Sequence, residues 1–129
     1  MRKLVLIVIL LSALALLLAA CGPSKAPAAR AVEDYLNALV SKDENKLVAL
    51  SCADWESSAT LEFDSLQAVT SRLQGLNCSV SGKDGDTSLV ECKGKLLATY
   101  NGEDQELDLS VRTYEVIQQG GNYLVCGYR

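Results

Sequence analysis

Hydrophobic residues follow three successive patterns along this chain. From Leu4 to Ala20 every residue is apolar except Ser12. After residue 30 the apolar residues recur every three or four positions, which is the period of an amphipathic helix. From residue 76 onward they alternate with polar residues, as in strands that bury one face. We therefore predict a single α+β domain in which two or three helices pack on a curled, mostly four-stranded antiparallel sheet.

The helical part of the pattern divides into three segments. The first helix should open at or near Pro27, end at Ser41-Lys42-Asp43, and bury five residues: Val32, Tyr35, Leu36, Leu39 and Val40. Asp43 is a suitable N-cap for a short second helix that reaches about Leu50. A third helix is predicted over Asp54–Phe63, burying Trp55, Ala59 and Phe63. The segment Ser65–Gln74 fits either a helix ended by Gly75 or the beginning of a strand near Val69.

The alternating part predicts strands separated by glycine-containing turns. Gly94 interrupts the apolar side of the second strand, so we expect a bulge or bend there. The predicted strands are Leu76–Gly82, Ser88–Tyr100, Gln105–Gln118 and Asn122–Tyr128. Alternation places these residues on the buried face: Val90, Cys92, Leu96, Ala98, Leu107, Leu109 and Val111. Alternation places the following residues on the solvent-exposed face: Glu91, Lys93, Lys95, Asp108, Ser110 and Arg112.

The apolar N-terminus ends in Leu18-Ala19-Ala20-Cys21, which resembles the lipobox of bacterial lipoproteins. Arg2 and Lys3 form a basic leader to the apolar stretch. The resemblance implies cleavage between Ala20 and Cys21, a lipid on the Cys21 thiol, and anchoring to the outer face of the cell membrane, or to an outer membrane where the organism has one. Residues 1–20 would then be the signal peptide, 21–29 a lipidated tether and 30–129 the domain. An uncleaved membrane anchor and an ordinary secretory signal are the alternatives.

Composition narrows the functional classes once the predicted signal is set aside. The formal charge of the whole chain is −4, and loss of Arg2 and Lys3 makes it −6. An acidic domain without a basic cluster is a poor partner for nucleic acid. The chain contains no histidine, the usual base at neutral pH and the commonest metal ligand. We expect no cofactor and no metal.

Four cysteines remain after Cys21, and export to an oxidising compartment favours their pairing. A first hairpin centred on Gly85 places Cys78 opposite Cys92, close enough for a disulfide. Cys52–Cys126 follows by elimination. The alternative, a zinc or redox site, has no Cys-x-x-Cys spacing to support it.

The order of elements resembles the nuclear transport factor 2-like, or cystatin-like, fold. The resemblance is carried by Ala31–Leu39, Lys42-Asp43, Leu47–Leu50 and Gly120–Cys126. The same pattern is similar to that of small bacterial lipoproteins. The fold implies a pocket between sheet and helices, and relatives such as ketosteroid isomerase set an aspartate base against a tyrosine there. The equivalents offered by this chain are Tyr35, Tyr100, Tyr114, Glu115 and Tyr128. The alternative is that the tyrosines fill the core and Glu115 is solvated.

These patterns favour a non-catalytic module of the cell envelope. We expect it to bind a small apolar ligand or an envelope protein through the concave face of the sheet. One alternative is an isomerase- or dehydratase-like enzyme that uses Glu115 with a tyrosine such as Tyr114. Another is a structural subunit that forms a homodimer through the outer face of the sheet, although the charges predicted there disfavour it.

Overall fold

The computed structural model describes residues 24–129, and the predicted signal, its cleavage site and Cys21 lie outside this range. Three helices precede a five-stranded antiparallel sheet, so the predicted α+β class is confirmed. None of the helices within residues 24–129 is long and apolar enough to cross a membrane. The helices are α1 (Pro27–Ser41), α2 (Glu44–Ala49) and α3 (Glu56–Ser65). The strands are β1 (Thr70–Asp84), β2 (Thr87–Tyr100), β3 (Glu103–Asp108), β4 (Thr113–Gln119) and β5 (Asn122–Tyr128).

Helix α1 packs its apolar face on the sheet and forms the centre of the core. Val32, Tyr35, Leu36 and Leu39 are fully buried, as their spacing predicted. Buried alanines on the same helix, among them Ala28 and Ala29 in its first turn, let the helix backbone approach the sheet closely. The predicted tether through residue 29 therefore overlaps the domain, since its last three residues form the first turn of α1.

The chain just before α1 is also held on the domain. The Lys25 ammonium group pairs with the Glu33 carboxylate and donates a hydrogen bond to Asn77 Oδ1 at 3.0 Å. Glu33 Oε1 in turn accepts the backbone N–H of Cys78 at 2.9 Å, on the outer edge of β1. These contacts fix the chain at Lys25, before the helix begins.

Helices α2 and α3 follow the predicted signals with small shifts. The Asp43 side chain accepts the backbone N–H of Lys46 at 3.1 Å and caps α2 as expected. Helix α3 lies two residues later than predicted and buries Ala59 and Phe63, whereas Trp55, also predicted to be buried, precedes the helix and is only partly buried. The segment that sequence left open contains the end of α3, a turn and the start of β1 at Thr70, which agrees with the strand alternative from Val69.

The sheet has one strand more than predicted, because the expected third strand is interrupted. Strands lie in the order β1-β2-β4-β5, and β3 also pairs with β2. A 3-10 turn over Leu109–Val111 separates β3 from β4, and the Asp108 carboxylate accepts the backbone N–H of Ser110 at 2.9 Å within it. β2 therefore pairs with β4 through Ser88–Glu91 and with β3 through Lys95–Tyr100.

This turn overturns two of the predicted side-chain directions. Val111, predicted to be buried, is 68% exposed, and the Arg112 side chain, predicted to face solvent, is only 21% exposed. A turn of helix inserted into an extended segment breaks the two-residue alternation, so residues after Leu109 lose the phase of those before it. Leu109 itself remains fully buried.

The predicted irregularity at Gly94 is confirmed as a bulge between β1 and β2. The pairing shifts between Gln74 and Asn77, directly opposite Gly94. Gly94 has φ 105°, and a Cβ there would lie 2.5 Å from the backbone oxygen of Gln74. Only glycine fits so close to another backbone at this φ.

The four cysteines come together in the two expected pairs. Cys78 and Cys92 lie opposite each other in β1 and β2, with Cα atoms 4.0 Å apart. Cys52 and Cys126 have Cα atoms 5.2 Å apart and join the segment after α2 to β5. That segment also covers the outer edge of β5, since the Cys52 N–H donates to Val125 O at 2.9 Å. If their stabilisation comes from the entropy lost by the unfolded chain, Cys78–Cys92 adds about 3 kcal/mol to the free energy of unfolding and Cys52–Cys126, which closes the longer loop, about 4.5 kcal/mol.

Substitution Gly94→Ala should destabilise the domain by more than about 3 kcal/mol, because the new Cβ would clash with fixed backbone atoms of Gln74 and Gly75. Gly102→Ala is the matched control, since Gly102 also has positive φ, at 82°, but has no atom within 4 Å of the added Cβ. We expect the control to cost about 1–2 kcal/mol. Urea unfolding of both variants measures the difference, and equal losses would contradict the packing described for Gly94.

Candidate functional site

An open cleft lies between α3, the C-terminal half of α1 and the sheet. Its volume is about 340 Å³, at the lower end of the range for small-molecule sites. Most of its wall is apolar and comes from five elements: α1, α3, β2, β3 and β5. The apolar lining residues are Leu39, Leu61, Leu66, Leu96, Leu107 and Tyr128.

Two charged residues, Glu62 and Arg112, lie in the wall of this cleft. Glu62 Oε1 accepts a hydrogen bond from Arg112 Nη1 at 3.1 Å. Glu62 Oε2 accepts another from the Tyr35 hydroxyl at 2.8 Å. The Tyr35 hydroxyl in turn accepts the indole N–H of Trp55 at 3.2 Å. The Glu62 carboxylate is therefore held by donors from α1 and from the residue that precedes β4.

The Arg112–Glu62 pair is largely withdrawn from solvent. Their side chains are 21% and 18% exposed, and the Arg112 guanidinium lies 4.0 Å above the centre of the Tyr128 ring. Burial lowers the pKa of Arg112, but the neighbouring tyrosines and Glu62 outweigh this and raise it, so the group stays charged. Loss of either partner would leave an uncompensated charge in a partly buried place.

A third residue, Tyr114, lies beside this ion pair in the core. The residue is fully buried behind the cleft wall, and its hydroxyl lies beside the Arg112 guanidinium without a hydrogen bond of strict geometry among the described residues. Its ring packs edge-on against Tyr128, with centroids 5.7 Å apart. Burial raises the pKa of Tyr114 while the nearby Arg112 opposes the shift, so the group remains neutral. Since buried polar atoms in native proteins nearly always have a partner, Arg112 is the group that this hydroxyl has within reach.

The residues suggested by the family resemblance separate into two groups. Tyr35, Tyr114 and Tyr128 meet beside the cleft, whereas Tyr100 is 59% exposed at the end of β2. Glu115 pairs with Arg129 at 2.8 Å, and within residues 24–129 no hydrogen bond joins it to a tyrosine. The acid–base pair considered from the sequence, Glu115 with Tyr114, is therefore not assembled.

Sequence reasoning missed the two charged residues of the cleft. Glu62 lies seven residues after Trp55 and so falls on the same face of α3, which is the signal that was available. Arg112 carried no such signal, because its direction depends on the turn at Leu109–Val111.

The arrangement suits recognition better than proton transfer. Both oxygens of Glu62 already accept hydrogen bonds from protein donors, so the carboxylate is committed as a structural partner. Among residues 24–129 no group of three or more potential metal-binding side chains occurs. Comparisons of the chain with protein families, curated proteins and solved structures find no significant match.

We expect the free energy of unfolding to fall as the pH rises above about 10. Burial raises the pKa of both Tyr35 and Tyr114, and Glu62 adds to the shift at Tyr35. The unfolded chain then releases these protons at a lower pH than the folded one, and this difference favours unfolding in alkali. Urea unfolding between about pH 8 and about pH 11 measures the slope.

The control for this measurement is the double variant Tyr35→Phe, Tyr114→Phe. Its decline with pH should be shallower, because the two buried phenols are gone. Parallel declines in the two proteins would contradict the assignment to these tyrosines.

Proposed function

We propose that this protein is a lipid-anchored component of the bacterial cell envelope whose domain binds a small apolar ligand without catalysis. The observation that carries the proposal is the cleft between α3 and the sheet, with apolar walls and a fixed polar pair. Binding sites are commonly concave and apolar with a few converging polar groups. The domain is acidic and lacks histidine, in keeping with this role.

The rim of the cleft adds to this support. Leu61 on α3 is 70% exposed although it lines the cleft. A large apolar side chain held in water at the mouth of a concavity gains free energy when a ligand covers it.

The alternatives receive less support from the described residues. An isomerase-like reaction needs a carboxylate free to take a proton, but Glu62 accepts two hydrogen bonds from the protein and Glu115 is paired with Arg129. Dimerisation through the outer sheet face would bury the exposed ion pairs Lys95–Glu106 and Arg72–Asp104. Burial of charge without new partners is costly.

The proposed location rests on the likeness of Leu18-Ala19-Ala20-Cys21 to a lipobox. Substitution Cys21→Ser should abolish labelling by radioactive fatty acid and release the protein from membranes, because only the thiol can carry the lipid. Fractionation and labelling of intact cells measure both effects. A variant that stays in the membrane without label would instead indicate an uncleaved anchor.

For ligand binding, we expect the isolated domain of residues 24–129 to bind the neutral fluorophore N-phenyl-1-naphthylamine with saturable 1:1 stoichiometry. Leu61→Glu should weaken this binding roughly tenfold or more, because it removes an apolar contact and places a charge at the mouth. Fluorescence titration measures the affinity, and Leu61 is too exposed for the change to affect folding greatly.

Val80→Glu is the matched control for this titration. Val80 is also an exposed apolar residue, 39% accessible on β1, but it does not line the cleft. Its replacement should leave the affinity unchanged. Absence of saturable binding, or equal losses in both variants, would refute the proposed site.

A further inference from the structure

We infer that the Cys52–Cys126 disulfide is a reducible latch on the ligand cleft, opened by a reductant that carries two thiols. Reduction releases the N-terminal end of α3, the helix that supplies one wall of the cleft, and thereby weakens ligand binding. This inference rests on the proposed function and adds its regulation. It follows from the accessibility of this disulfide, its place in the sheet and the small buried surface of α3.

The two disulfides differ in their access to solvent. Cys78 and Cys92 are only 2% and 1% exposed and belong to the hydrophobic core. Cys52 and Cys126 instead line a second open cleft, of about 410 Å³, between the segment after α2 and the strands β4 and β5. Cys126 is only partly buried, which makes it the point of attack for a thiol. Exposed disulfides are more readily reduced than buried ones and are the kind that serves regulation.

Cys126 is the extra residue of a β-bulge between β4 and β5. On one side of it, Gly127 pairs with Glu115. On the other side, Val125 pairs with the very next residue of β4, Val116, so no residue lies opposite Cys126. Bulges redirect a side chain and are frequent beside functional sites. Because Cys126 takes no part in strand pairing, the sheet can stay intact when the crosslink opens.

The Cys52 backbone connects the disulfide to the start of α3. Its carbonyl oxygen accepts the backbone N–H of Trp55 at 2.9 Å and that of Glu56, the first residue of α3, at 3.2 Å. The Trp55 ring packs edge-on against Tyr128 in the wall of the ligand cleft, with centroids 5.4 Å apart. The crosslink at Cys52 therefore fixes the point from which α3 begins.

Helix α3 itself buries little surface. Of its ten residues, Ala59 and Phe63 are buried, and Glu62 adds the polar contacts described above. Segments with few buried apolar contacts open locally while the rest of a protein stays folded. The disulfide joins residues 74 positions apart, and loss of such a long crosslink returns much conformational freedom to the chain. We therefore expect α3 to be the element that moves on reduction.

The chemistry is thiol–disulfide exchange in two steps. One thiolate of the reductant attacks the Cys126 sulfur, the S–S bond breaks, and Cys52 leaves as a thiolate that takes up a proton. The second thiolate of the reductant then attacks the mixed disulfide and releases Cys126, which is protonated in turn. The dithiol gives up two protons and is oxidised to a disulfide. The latch is the substrate of this exchange, so it needs no Cys-x-x-Cys spacing of its own.

Partial reduction with dithiothreitol tests the selectivity of the first step. The oxidised domain of residues 24–129 is treated with the dithiol, and samples are trapped with N-ethylmaleimide in acidic urea, so that buried thiols are also labelled. Peptide mass spectrometry should find Cys52 and Cys126 reduced at least about tenfold faster than Cys78 and Cys92. Equal rates, or faster loss of Cys78–Cys92, would overturn the latch.

The fluorophore titration tests the effect on the cleft. The variant Cys52→Ser, Cys126→Ser should bind N-phenyl-1-naphthylamine about fivefold more weakly than the oxidised wild type, as when α3 is in place about one-fifth of the time. Mild dithiothreitol treatment should weaken binding by the wild type equally and leave the variant unchanged. The matched control, Cys78→Ala, Cys92→Ala, should keep the wild-type affinity within about twofold and lose it on reduction.

Hydrogen exchange distinguishes a local latch from a general loss of stability. In the Cys52→Ser, Cys126→Ser variant, amides of α3 should exchange faster than in the wild type, while those of α1 and of the β1–β2 pair keep their protection. Uniform acceleration throughout the domain would show that the disulfide only stabilises the fold, and this would overturn the inference.

The outcomes separate the latch from the function on which it rests. If the fluorophore does not bind the oxidised wild-type domain, the proposed function fails and the latch has no ligand to control. If the fluorophore binds the oxidised and reduced domains with equal affinity, only the latch is refuted.

Discussion

The structure depends on the burial of one face of α1 against one face of the sheet. Val32, Tyr35, Leu36 and Leu39 are all withdrawn from solvent there, and α2 and the strands β1, β2, β4 and β5 pack against the same helix. Because Tyr35 is buried with the rest, its hydroxyl needs a partner inside the protein. Glu62 provides that partner and thereby brings a carboxylate to the seam between helix and sheet. The polar end of the cleft is thus a consequence of how the core is packed.

Much of the fold was predictable because its signals are local. The period of α1, the capping role of Asp43 and the bounds of Asn122–Tyr128 each depend on residues close together in the chain, and the structure has all of them. The interrupted third strand was not predictable from alternation. The strand is broken where the Asp108 side chain accepts a hydrogen bond from the backbone of Ser110. Such a local bond competes with strand pairing, and the spacing of hydrophobic residues gives no sign of it.

The site was less predictable than the fold, because it joins residues that are far apart in the chain. Arg112 and Glu62 are separated by 50 positions, and Tyr35 lies 27 positions before Glu62. On a helix edge or a strand, such residues look the same as solvated charges until the packing is known. The tyrosines were suggested by the resemblance in fold, but the carboxylate chosen with them, Glu115, belongs to a different ion pair. Short-range patterns identify the core and leave long-range polar pairing undetermined.

The attachment of Lys25 to Glu33 and Asn77 determines which way the domain would stand on a membrane. Lys25 follows Cys21 by four residues and Pro27 by six, so a lipid on Cys21 would hold Lys25 within about 14 Å of the bilayer and the start of α1 within about 20 Å. The β1–β2 and β4–β5 turns gather at that end, around Pro27. The cleft begins near Leu39, about 18 Å further along the helix. The cleft would then lie toward the end of α1 opposite the lipid anchor, and a ligand would reach it from solution or from a carrier, having already left the lipid layer.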